Sequence, residues 1–219
     1  MGESSLGGCA KQTLLRAPWS VAVVALAGLC TLGYLMPATS AWVLQHLTGR
    51  LDALPHEPWR LLTGPLVHAS WGHAARDLTT LLALGLVWER ALGRRFFSLL
   101  GAGILIPPVV ALALQPGLRL YFGLSAAVYA VLAAGLVLAW RRGGRRPWLL
   151  LLAAAVALKL VVEVASGDLL FPMGHPIGVR PVPLAHLVGA ACALVNVNGT
   201  GETAQPAGNS SWTYIPRPR

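Results

Sequence analysis

Covalent chemistry in this sequence centres on Gly123-Leu124-Ser125-Ala126-Ala127, a serine among small residues at the start of a long apolar run. Acyl transfer needs a nucleophile, a base to take its proton and donors for the oxyanion. Ser125 supplies the first, although taken alone it reads equally as a helix cap or packing residue, placed about a turn inside its helix. Gly123, two residues earlier, lets backbone and substrate approach closely. Tyr129, one turn later, shares the serine's face. His186, near the start of another apolar stretch, supplies a base, because a neutral imidazole takes up a proton near neutral pH; its alternative is a histidine satisfied by a backbone carbonyl. Small residues follow it at Gly189, Ala190 and Ala193, which permit close helix packing.

His68, His73 and Asp77 form a third group, with His73 and Asp77 at the i, i+4 spacing that puts them on one helix face. They fit oxyanion donors better than metal ligands. An H-E-x-x-H helix is absent, and the spacing of His68 and His73 does not put both on one helical face. No metal and no cofactor is expected.

These residues need a scaffold, and composition says which kind. Of 219 residues, 55% are apolar and only 11% charged, and mean hydropathy is +0.62. Soluble domains carry about 25% charged residues. An all-α, polytopic membrane protein is expected. Cys9, Cys30 and Cys192 have no metal spacing and no paired framework.

Six apolar runs, at about 19–36, 70–88, 96–114, 121–140, 148–165 and 184–197, predict six spans within a membrane domain over 18–197. Residues 1–17 and 198–219 are polar, rich in Gly, Ser, Thr and Pro, and predicted to be disordered. Residues 38–67 alternate charge with large apolar side chains and predict a loop lying at the membrane surface, with Trp42 and Trp59 at headgroup depth. Pro107-Pro108 predicts a bend or break in the third span. In the fifth, Lys159 and Glu163 are spaced to pair on one face. Residues 166–183, rich in Gly and Pro, predict a lid that carries Phe171 and Met173.

The net charge of +9 does not signal nucleic acid, because the arginines cluster between apolar runs. Arg50, Arg60, Arg119 and Arg180 fall on one side of the six-span plan, and most other basic residues on the opposite side. The bias puts both termini in the cytoplasm and brings His68, His73, Asp77, Ser125 and His186 to the outer ends of their helices. With no internal repeat, a transporter built from inverted repeats is disfavoured.

His68-Ala69-Ser70-Trp71-Gly72-His73-Ala74-Ala75-Arg76-Asp77 resembles the H-x-x-x-x-H-x-x-x-N element of rhomboid intramembrane serine proteases. Trp59-Arg60 resembles that family's W-R pair, Gly123-Leu124-Ser125-Ala126 its G-x-S-G, and Ala185-His186-Leu187-Val188-Gly189 its A-H-x-x-G. Small size and the alanine after the serine look most like the rhombosortase branch.

The resemblance implies a six-helix rhomboid-like bundle in a bacterial inner membrane, cutting single-span membrane-anchored proteins near a C-terminal Gly-Gly anchor signal. It implies Ser125 as nucleophile and His186 as base in a dyad without a carboxylate, with Tyr129 stacked on His186. His73 and position 77 would line the oxyanion hole with the Ser125 N–H. Two residues depart from the pattern: Ala126 replaces a glycine and Asp77 an asparagine. An ionised carboxylate cannot donate to an oxyanion, so Asp77 is expected to orient His73 and keep it charged. The competing reading is a catalytically inactive rhomboid-like protein that binds membrane clients.

Overall fold

The structure, a computed structural model, describes residues 19–50, 52–115, 118–142, 146–170 and 182–198. The expectations for the polar N-terminus, the C-terminal tail and the Phe171/Met173 lid fall outside these residues.

Among the described residues, six long helices lie over the six apolar runs: α1 (Trp19–Leu35), α4 (Trp71–Leu92), α5 (Arg94–Leu114), α6 (Ser125–Arg141), α7 (Pro147–Ser166) and α8 (Pro183–Asn198). Two short helices, α2 (Ser40–His46) and α3 (Arg60–Thr63), lie in the connection after α1. Among the described residues, α5 and α7 are each long and apolar enough to cross a bilayer. The helices α1 and α6 are apolar but 17 residues long, and α4 is longer but carries Arg76, Asp77, Glu89 and Arg90. Large apolar side chains such as Leu86, Leu114, Leu151 and Leu158 stand exposed on the outside of the bundle. Pro107 and Pro108 lie buried inside α5, which runs on to Leu114 rather than breaking; neighbouring helices support a backbone that proline leaves short of donors.

Polar groups fix the helix ends. Ser70 caps α4, its Oγ accepting the N–H of His73 at 3.2 Å, which satisfies one of the orphan donors of the first turn. The Glu89 carboxylate accepts from the N–H groups of Trp19 and Ser20 and, at 2.7 Å, from the Ser20 hydroxyl. A carboxylate of α4 thus caps α1, where the helix dipole favours negative charge.

Two elements depart from a purely helical plan. β1 (Gly49–Arg50) pairs antiparallel with β2 (Leu120–Tyr121), Gly49 opposite Tyr121. This two-residue ladder ties the long first connection to the chain just ahead of Ser125. The connection itself is organised by Arg60, 2% exposed, whose guanidinium donates to the Thr48 carbonyl at 3.0 Å, to the Gln45 carbonyl and to Glu57. Trp59 donates its indole N–H to the His46 carbonyl at 3.1 Å while half its surface remains exposed, and Trp42 is similarly exposed. Removing the guanidinium strands buried carbonyls, each costing about 1–3 kcal/mol. Arg60→Ala is therefore expected to destabilise the protein by about 2–4 kcal/mol, read as a lower midpoint of thermal unfolding in detergent.

Candidate active site

Ser125 is the first residue of α6, not a turn inside it as the sequence suggested. The reason lies in the residues before it: Tyr121 is held in β2, and Gly123 takes φ +92, a left-handed conformation that ends the strand and turns the chain into the helix. The N–H of Ser125 is therefore one of the donors that a helix leaves without an internal partner. A helix N-terminus favours developing negative charge.

The preceding segment is locked by residues 67 and 68. The Val67 carbonyl accepts the Gly123 N–H at 2.8 Å, and His68 Nε2 accepts the Leu124 N–H at 3.4 Å. His68 Nδ1 lies 2.9 Å from the Thr31 hydroxyl. His68 thus braces the turn that presents Ser125.

His186, buried in the first turn of α8, places Nε2 2.9 Å from Ser125 Oγ. That is a nucleophile-to-base distance. The approach depends on Gly189, where a Cβ would fall 2.1 Å from the Ala126 carbonyl oxygen. Here α6 and α8 cross backbone to backbone, one turn after the histidine. Ala126, in place of the family's glycine, is buried at this crossing. The Tyr129 ring lies 4.8 Å from the His186 ring, tilted 33°.

The third group also converges. Asp77 Oδ2 lies 3.2 Å from His73 Nε2 and 3.4 Å from His68 Nε2, all three residues buried. The sequence argument against this trio as metal ligands assumed one helix for both histidines. His68 instead precedes α4 and lies outside any helix, so helical spacing does not govern it. The three donor atoms lie within 4.8 Å of one another, a set able to hold a metal ion. In this structure they serve one another and the serine turn. A Cβ on Gly123 would fall 2.5 Å from His73 Nε2 and 3.2 Å from Asp77 Oδ2, so glycine is required there for space as well as for φ.

The site contains a carboxylate that the sequence reading left out. Glu163, 1% exposed on α7, places Oε2 3.2 Å from His186 Nδ1. The expected dyad without a carboxylate therefore has one at its base. The i, i+4 pair with Lys159 is also present, at 2.6 Å. The available signal was the ionisable residue itself: a carboxylate inside an apolar span marks a functional candidate.

The architecture and the serine–histidine geometry define a helical bundle with a base-paired serine at a helix entrance. Residues 55–198, which contain every residue discussed at the site except Thr31, match the family model described as the rhomboid domain. The chain belongs to the rhomboid family, whose members are membrane-embedded and generally serine intramembrane proteases. A search of curated proteins found no match.

Proposed function

We propose that this protein is an intramembrane serine endopeptidase with Ser125 as nucleophile and His186 as general base. The observation that carries the reading is the 2.9 Å contact between His186 Nε2 and Ser125 Oγ at a helix N-terminus. Ser125 Oγ attacks the scissile carbonyl while its proton passes to Nε2. The oxyanion takes the Ser125 N–H, with His73 as a further donor. Collapse expels the amine, which receives the proton from His186, and water then hydrolyses the acyl-enzyme by the same route in reverse.

The substrates are single-span membrane-anchored proteins cut near the outer face of a bacterial inner membrane, in which this chain forms six spans with both termini cytoplasmic. The rhombosortase-like features favour cleavage beside a Gly-Gly anchor signal. Support for the bilayer setting comes from the two span-length helices and the exposed apolar exterior.

The test is reconstitution in liposomes with a tagged single-span substrate carrying a Gly-Gly segment, comparing wild type with Ser125→Ala and His186→Ala. Loss of cleavage in both variants is expected. Cleavage that survives both removes the pair from catalysis, and substrate capture without cleavage by wild type favours the inactive client-binding reading. Replacing the Gly-Gly segment then separates a sorting protease from a general one.

Asp77 has a separate expectation. It lies 3.2 Å from His73 Nε2, where its carboxylate faces that ring nitrogen and orients the imidazole. Asp77→Asn replaces that carboxylate by an amide that can donate, and the pH profile of cleavage is expected to change. An unchanged profile at full rate would remove Asp77 from this role.

A further inference from the structure

We propose that Glu163 is a positioning residue for His186, turning the pair into a Ser125–His186–Glu163 relay whose third member is delivered by α7. The proposal rests on the Ser125/His186 reading above and concerns what holds the base in its working form.

The argument begins with the tautomer. For Nε2 to accept the serine proton, neutral His186 must carry its hydrogen on Nδ1. A buried N–H needs an acceptor. Glu163 Oε2, 3.2 Å from Nδ1, is that acceptor and favours the productive tautomer. When the serine proton arrives on Nε2, the ring becomes an imidazolium, and the same carboxylate stabilises it in a water-poor site.

The carboxylate is itself held. Its other oxygen accepts from Lys159 Nζ at 2.6 Å and from the Leu170 N–H at 3.1 Å. Lys159 also donates to the Tyr129 hydroxyl at 2.6 Å, and the Tyr129 ring lies against His186. The four side chains form a closed circuit across α6, α7 and α8. A buried carboxylate needs paired charge and filled acceptor sites to remain ionised, and the circuit supplies both. The titratable groups around this centre are Tyr129 of α6, Lys159 and Glu163 of α7, and His73 and Asp77 of α4 across Gly123.

Little else fastens α7 inward: Leu149, Leu160 and Glu163 are its buried residues, while Leu150, Leu151, Leu158 and Val161 face out. A Glu163 that merely docks α7 through Lys159 would also be buried. The test therefore needs a readout that docking alone does not move.

That test uses the full chain in liposomes with the tagged single-span substrate. It measures kcat, KM and the pH profile of kcat for wild type, Glu163→Gln, Glu163→Asp and Lys159→Met, with thermal unfolding of each. For Glu163→Gln, kcat is expected to fall on the order of 10²-fold, with KM within about twofold. The acid limb of the profile is expected to move to lower pH, because the imidazolium has lost its counter-charge. Glu163→Asp should recover part of the loss. Lys159→Met, which leaves the carboxylate on His186, should lose less than Glu163→Gln.

A folded Glu163→Gln with unchanged kcat and acid limb overturns the proposal, as does a kcat loss that tracks lost thermal stability with no shift of the limb. Nitrogen-15 NMR of histidine-labelled wild type decides independently of any variant. Neutral His186 protonated on Nδ1 supports the relay, and neutral His186 protonated on Nε2 overturns it. Failure of the parent reading looks different: Ser125→Ala would then still cleave, whereas failure of this inference alone leaves Ser125→Ala inactive.

Discussion

Ser125→Ala is expected to lower cleavage by on the order of 10³-fold or more, and adding His186→Ala to it is expected to cost nothing further. The two side chains act as one unit through their 2.9 Å contact. Once the nucleophile is gone the base has no proton to take, and once the base is gone the hydroxyl is a weak nucleophile. Mutational effects within such a unit are therefore far from additive. The measurement is initial cleavage rate for both single variants and the double, with substrate binding followed separately. A double variant much slower than either single one would show that Ser125 and His186 act at different steps.

The second large effect concerns a residue that touches no substrate. Gly189→Ala places a methyl 2.1 Å from the Ala126 carbonyl oxygen and 2.8 Å and 2.9 Å from its carbonyl carbon and Cα. All three are backbone atoms, so no rotamer change relieves the overlap. Ordinary carbon contacts need about 3.5–4.0 Å, and the helices must separate by roughly 1 Å. His186, one turn earlier on α8, moves with that shift, and a misplacement of this size costs about 10²-fold in rate. Overpacking should also remove about 1–3 kcal/mol of stability. Ala126→Gly is not expected to rescue the variant, since the clash is with the main chain of residue 126. Parallel measurement of kcat and thermal unfolding checks this. Full activity in Gly189→Ala would mean that α6 and α8 do not cross backbone to backbone at this point.

Local features of the site were legible in the sequence. Ser70 as the start of α4, His73 with Asp77, Ser125 with Tyr129 and Lys159 with Glu163 all follow from capping chemistry or the i, i+4 period. What lay beyond reach involved backbone geometry or contact between elements. The entry of α6 at Ser125 follows from the strand pairing of Tyr121 with Gly49, far back in the chain, and from the φ of Gly123. His68 looked misplaced for a metal site shared with His73 because a helical rule was applied to a residue that lies outside any helix. Glu163 was seen with Lys159 but not with His186, 23 residues away, because only packing decides which second partner a helix face meets.

By itself, the sequence determined a chain of apolar runs, a serine and a histidine near the starts of two of them, and a set of ionisable groups within them, because hydropathy and short-range periodicity are properties of neighbouring residues. The tertiary structure alone decided which of those groups meet. Whether an ionisable side chain is a cost or a tool in an apolar bundle depends on what lies within about 3 Å of it. For His186 those neighbours come from two other helices: Ser125 on one ring nitrogen and Glu163 on the other.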